Sequence, residues 1–192
     1  MGLPMSVVLC DVDGISADFI GGVCRWLRDR GVIYRPEDFH DFDLGHTIPR
    51  EIADEMGREI GFCSSLPWYP GAFEFMVSLR ECSDLYAVTA PWNAPTWTEE
   101  RRHWLSRVLP SARVASVPTP MKPMIMGDLL IEDRAETCDA WLACNPLGTA
   151  LLFDRPWNRK PIKRTAIKNA VRVHSYKEIL SYVQDRNKRA PF

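Results

Sequence analysis

Five short apolar runs constrain this chain more than any other feature. Residues 6–10, 85–88, 113–117, 129–131 and 150–153 are brief, largely apolar and bounded by Pro, Gly or Asp. That is how strands buried on both faces of a parallel sheet are written. Amphipathic stretches lie between them, with helices expected over residues 72–80, 98–109, 136–144 and 176 to about 186. Two helix starts carry the S/T-x-x-E spacing, Thr96 with Glu99 and Ser175 with Glu178, in which hydroxyl and carboxylate reciprocally satisfy free amides. Strands alternating with helices imply an α/β architecture, a parallel sheet covered on both sides.

Residues 19–69 break the alternation. They show helical periodicity and no good strand, with Ile48, Ile52, Met56 and Ile60 four apart, and with Phe19, Ile20, Val23, Trp26 and Leu27 forming a second stripe ended by Gly31. Gly21 and Gly22 weaken that stripe, at about 1 kcal/mol each. The expectation is a small helical insertion, residues 19–69, in a core made of residues 1–18 and 70–192. A chain of 192 residues suits one such core with its insertion.

Composition narrows the class. With 46% apolar residues and a net charge of -1, the chain is not of a disordered type. No apolar run approaches the roughly 18 residues of a membrane span, so neither a membrane helix nor a secretory signal is expected. Six cysteines without a C-x-x-C pair suit a reducing cytoplasm. Charge is uneven: residues 151–192 hold 11 basic and 3 acidic residues, a solvated face or a surface for a phosphorylated partner.

Four polar signals sit at or beyond the carboxyl ends of expected strands, where open α/β sheets bind ligands. Val7 to Cys10 runs into Asp11, Val12, Asp13 and Gly14, two carboxylates one residue apart with a glycine to turn the chain. Taken alone, this is also how a turn with an Asp cap reads. Thr89 ends the second run, and Lys122 lies in a loop with Pro118, Pro120 and Pro123. The run Leu129 to Ile131 delivers Glu132 and Asp133, adjacent acids that repel unless a cation lies between them. His40 and His46 lack zinc or EF-hand spacing, and Trp97, Trp104 and Leu105 read as the buried face of a helix.

In this order the four signals resemble the motifs of the haloacid dehalogenase (HAD) superfamily. More closely, the stretch from Asp11 to Phe19 is similar to the D-M-D-G-V-L-A-D-F of the 5'(3')-deoxyribonucleotidases, and Gly127 to Arg134 to their G-D-L-L-I-D-D-R/K. Pro70-Gly71-Ala72 and Thr89-Ala90-Pro91 resemble that family's P-G-A and T-S-P segments. The resemblance implies a HAD-like Rossmannoid three-layer core with a parallel sheet and a small helical cap.

It also implies roles. Asp11 would attack phosphorus to form an aspartyl-phosphate, and Asp13 would protonate the leaving oxygen and later accept a proton from water. Mg²⁺ would lie among Asp11, the Asp13 backbone carbonyl and Asp133; Glu132, where the family has Asp, would act through water or orient Lys122. Lys122 and Thr89 would hold phosphate oxygens, with Ala90 replacing a serine. Phe19 would stack a base, with Trp92 and Phe62 as further pocket walls.

The implied activity is Mg-dependent hydrolysis of (deoxy)nucleoside monophosphates. Two alternatives stay open: a phosphatase of polynucleotide ends or another small ester, suggested by Arg155, Arg159, Lys160, Lys163, Arg164 and Lys168, and a non-catalytic nucleotide- or nucleic-acid-binding protein, suggested by Ala90 and Glu132. A small-molecule nucleotide is the expected partner, nucleic acid the alternative; no membrane partner is expected and a homodimer is left open.

Overall fold

The computed structural model of the chain describes residues 5–41, 43–92, 94–159 and 170–189. Among these, six strands form one parallel sheet: β1 (Val7–Cys10), β2 (Asp84–Thr89), β3 (Val114–Ser116), β4 (Leu129–Glu132), β5 (Thr149–Phe153) and β6 (Ala170–Val173). Their spatial order is β3-β2-β1-β4-β5-β6. The chain therefore builds outward from β1 on one side, returns, and builds outward on the other. That reversal opens a crevice at the carboxyl end of β1, between β2 and β4. Register brings the three ends level, since Cys10 pairs with both Ala87 and Ile131.

Among the described residues six α-helices accompany the sheet: α1 (Phe19–Asp29), α2 (Arg50–Arg58), α3 (Ala72–Cys82), α4 (Trp97–Leu105), α5 (Ala135–Cys144) and α6 (Tyr176–Arg189). Side-chain alternation along β1 sorts them into layers. Val8 and Cys10 face a core with Phe75, Met76 and Leu79 of α3 and Ile179 and Val183 of α6. Leu9 faces the other way, onto Ala135, Cys138 and Trp141 of α5. The result is the expected three-layer α/β core.

The chain leaves this core and re-enters it at adjacent points. Ala17 pairs antiparallel with Trp68. The Asp18 amide donates to the Pro67 carbonyl (2.8 Å) and the Tyr69 amide to that of Ser16 (2.9 Å). Between these two crossings lie α1 and α2, joined by single-turn segments.

Several local expectations are corrected. β6 is a sixth strand; with Arg172 in it and only Val173 buried, its residues lack the apolar signature of the central strands. The four-residue spacing from Ile48 to Ile60 does not mark one helix. Pro49 starts α2, the helix stops at Arg58, and Ile60 is 75% exposed. α4 ends at Leu105, after which the chain turns to Pro110 while still burying Val108 and Leu109. Thr96 makes no capping box with Glu99, because its hydroxyl donates instead to Glu100 Oε1 (2.6 Å). At Ser175 the hydroxyl accepts from the Glu178 amide (3.2 Å), but the Glu178 carboxylate reaches one residue further back, to the His174 amide (2.9 Å).

Candidate active site

The crevice holds a cavity of about 490 Å³ lined by Asp11, Asp13, Phe19, Trp92, Lys122 and Asp133, together with Trp157, Arg134 and residues of the segment around α2. Two loops form its floor. The first follows β1, where Asp11 leaves the sheet with its amide donating to the Ile131 carbonyl (2.9 Å). Gly14 then turns the chain at φ +77°, a left-handed conformation that side chains disfavour. Only glycine fits in space as well: a Cβ there would lie 2.0 Å from Asp133 Oδ2.

The second loop follows β4. Glu132 is fully buried, and its Oε1 accepts from the amides of Asp133 (3.2 Å) and Arg134 (3.3 Å). Lys122 reaches across from its loop, donating to Asp11 Oδ1 (2.8 Å) and Glu132 Oε2 (3.3 Å). Burial alone would favour the neutral amine; the Asp11 and Glu132 carboxylates override it and hold the Lys122 proton above its usual range. Glu132 itself is pushed up, by burial first and then by the Asp11 charge. The same two causes raise Asp133 to about 6.

One ammonium faces three buried acids here. Asp11, Glu132 and Asp133 each present an oxygen within 4.8 Å of the others, and Asp133 Oδ1 is buried with no hydrogen-bond partner among the described residues. Excess negative charge, hard oxygen donors and an orphaned carboxylate oxygen fit a divalent cation such as Mg²⁺. The side chain of Asp13 is not part of this group. It turns away to Arg101, whose Nη2 donates to both its oxygens (2.6 and 2.8 Å). Burial raises the Asp13 carboxyl, Arg101 opposes that rise, and the Asp11 charge adds to it.

Thr89 and Glu132 sit below the cavity surface. The Thr89 hydroxyl is fully buried at the end of β2 and has no hydrogen-bond partner among the described residues, which leaves a polar group to be satisfied. Phe19 and Trp92 do face the cavity, their rings 5.6 Å apart and inclined at 44°. Trp92 also seats α2 on the core, where a Cβ at Gly57 would come within 2.7 Å of the indole. Phe62 is corrected: it is buried behind Phe19, edge-on at 6.1 Å, and packs on Trp97 instead of walling the cavity.

Several contacts of the site had not been anticipated. After β5, Trp157 Nε1 donates to Asp133 Oδ2 (2.8 Å), Asn158 Nδ2 to the Asp133 carbonyl (2.8 Å) and Arg155 Nε to the Gly14 carbonyl (2.6 Å). One turn therefore fastens both acidic loops. Their position beyond a strand end was the available signal. For Arg101 the signal was a charge within an apolar stripe, since Trp97, Arg101, Trp104 and Leu105 share one helix face and all four are buried.

Arg155 is thus engaged internally, stacked over Tyr69 at 4.0 Å, and Arg159 pairs with Asp154 (2.7 Å). The basic residues Lys160, Lys163, Arg164 and Lys168 lie outside the described residues. All six cysteines are free, and among the described residues no helix is long and apolar enough to cross a membrane.

Comparison with known proteins gives the same picture. The model of the family "5' nucleotidase, deoxy (Pyrimidine), cytosolic type C protein" matches residues 5–188. Among solved structures, a haloacid dehalogenase-like hydrolase from Burkholderia xenovorans LB400 is similar at TM-score 0.61 and 14% identity, over 97% of this chain and 100% of that one. The HAD-hydrolase YfnB from Bacillus subtilis, bound to magnesium, is similar at TM-score 0.61 and 16% identity, over 94% and 99%. No curated protein matches significantly. At such identities the structures show a shared HAD-like fold.

Proposed function

Since the chain belongs to the 5' nucleotidase, deoxy (Pyrimidine), cytosolic type C family, a group of phosphoric monoester hydrolases, we propose that it hydrolyses deoxynucleoside monophosphates with Mg²⁺, in a reducing cytoplasm. The observation that carries this reading is the convergence of Asp11, Asp13, Lys122 and Asp133 on one cavity whose upper wall is aromatic.

Asp11 is the nucleophile. Its carboxylate attacks phosphorus, and an aspartyl-phosphate divides one difficult displacement by water into two easier ones. Asp13 gives its proton to the departing sugar oxygen, then takes one from the water that cleaves the acyl phosphate. Lys122 pairs with Asp11 and, with the unpartnered Thr89 hydroxyl, receives phosphate oxygens. Asp11, Asp133 and the Asp13 carbonyl would hold Mg²⁺, with Glu132 behind them aligning Lys122. When bound, that ion offsets the charge gathered by the phosphate and three acids. Phe19 stacks the base, Trp92 beside it walls the same side of the cavity, and residues 19–69 act as the cap above it.

The test is phosphate release from dUMP or dTMP by the purified protein with Mg²⁺. Activity is expected to vanish in D11N and on adding a chelator. Turnover that survives either change overturns the mechanism.

A further inference from the structure

Arg101 has no part in the reaction as described, yet the protein keeps it at a high cost. It is fully buried on α4, and its Nε and Nη1 have no hydrogen-bond partner among the described residues. A guanidinium taken out of water with two donor atoms unsatisfied is a poor device for stability. Its surroundings nevertheless hold it firmly. The guanidinium lies 5.8 Å from the Trp97 ring centroid and 5.6 Å from that of Trp104. Trp104 is itself pinned, donating from Nε1 to the Leu66 carbonyl (2.7 Å) and stacking on Trp68 at 3.7 Å. The preceding residue, Glu100, accepts from the amides of Gly61 (2.9 Å) and Ser64 (3.1 Å). Every neighbour thus fixes α4, and α4 aims one nitrogen at both oxygens of Asp13.

We propose that Arg101 is the positioning residue of the leaving-group acid. It sets the orientation of the Asp13 carboxyl and is the counter-ion of the carboxylate formed there. The inference rests on the reaction proposed above. As Asp11 bonds to phosphorus, the bond from phosphorus to the ester oxygen breaks and its electron pair stays on that oxygen. The oxygen takes the proton of Asp13, so the product is an alcohol and Asp13 becomes an anion. Nη2 of Arg101 already stands where that anion needs a partner. The Lys122 ammonium is turned elsewhere, to Asp11 and Glu132.

The test uses two esters that differ in their need for a proton. The sugar alkoxide of dUMP leaves only if protonated, whereas p-nitrophenolate departs as a stable anion. kcat/KM reports steps only through departure of the leaving group, so the later role of Asp13 as a base does not enter. For R101M, kcat/KM on dUMP is expected to fall about 100-fold, while on p-nitrophenyl phosphate it stays within about threefold. R101K, which restores the charge without the planar fork, is expected to recover part of the dUMP activity and is read on the same ratio if R101M does not fold. Adding R101M to D13N should cost nothing further on dUMP, because the two side chains act as one unit.

An equal loss on both esters, from either Arg101 variant, overturns the inference. So does a further loss in the double variant. A wild-type protein inactive on both esters fails differently and strikes the proposed function itself.

Discussion

Replacing Trp157 with phenylalanine keeps an aromatic ring but removes the indole N–H and the second ring beside Gly14, and it tests what holds the acidic loops together. Nε1 of Trp157 donates 2.8 Å to Asp133 Oδ2, while Asp133 Oδ1 has no hydrogen-bond partner among the described residues. A hydrogen bond to a charged acceptor contributes about 1.5–3 kcal/mol. Without it the Asp133 carboxylate loses its fixed rotamer and is left buried and unpaired. Loss of such an orienting bond typically weakens metal binding by about 10–100-fold, or roughly 1.4–2.8 kcal/mol. Titrating the folded W157F protein with Mg²⁺ in a calorimeter should show a dissociation constant raised by that factor. The metal-free protein should also melt lower, by about 2–4 °C for each kcal/mol lost. A dissociation constant within twofold of wild type, in a variant with normal circular dichroism, would refute the idea that Trp157 orients a metal-holding carboxylate.

Other consequences can be tested directly. G57V drives a branched side chain into the Trp92 indole; KM for the nucleotide should rise about tenfold, roughly 1.4 kcal/mol of lost ring contact, and an unchanged KM would mean that this seat does not shape the cavity. W141A empties a fully buried site on the α5 face of the sheet and leaves the Ile125 carbonyl without its indole donor; unfolding by urea should show a loss of about 3–5 kcal/mol. Burial is the largest single influence on Glu100 and raises it, but hydrogen bonds from Gly61, Thr96 and Ser64 together outweigh burial, so its folded value lies below the ordinary one. Its contribution is therefore complete above the ordinary carboxylate range and disappears as pH falls through the folded value. The stability gap between wild type and E100Q should be about 1–2 kcal/mol at pH 7 and close below pH about 4; a gap that widens in acid would refute the assignment.

What was legible in the sequence was mostly what a short stretch encodes. The runs ending in Asp11, Thr89 and Glu132 each carry strand and polar terminus together, and parallel register then brings those ends level without further instruction. Lys122 could be placed only through its spacing to the acids. What escaped depended on contacts distant in the chain. Arg101 meets Asp13 across 88 residues and Trp157 meets Asp133 across 24, and no local pattern encodes either pair. The Thr96 motif failed for a similar reason. Glu100, one residue beyond the expected acid, was already drawn to two amides near residue 61, and the hydroxyl followed it. Phe62 has the right chemistry for a pocket wall, but Phe19 stands in front of it.

The side-by-side crossings at Ser16–Asp18 and Pro67–Tyr69 carry one more implication, for how such proteins diversify. Because departure and return are joined by two backbone hydrogen bonds, the pairing of the strands does not depend on how much chain lies between them. Material can be inserted there, away from the seats at Gly61, Ser64 and Leu66 that fix α4, while the strands keep their pairing. A lineage can thus retool which esters it admits without rebuilding the machinery that cleaves them.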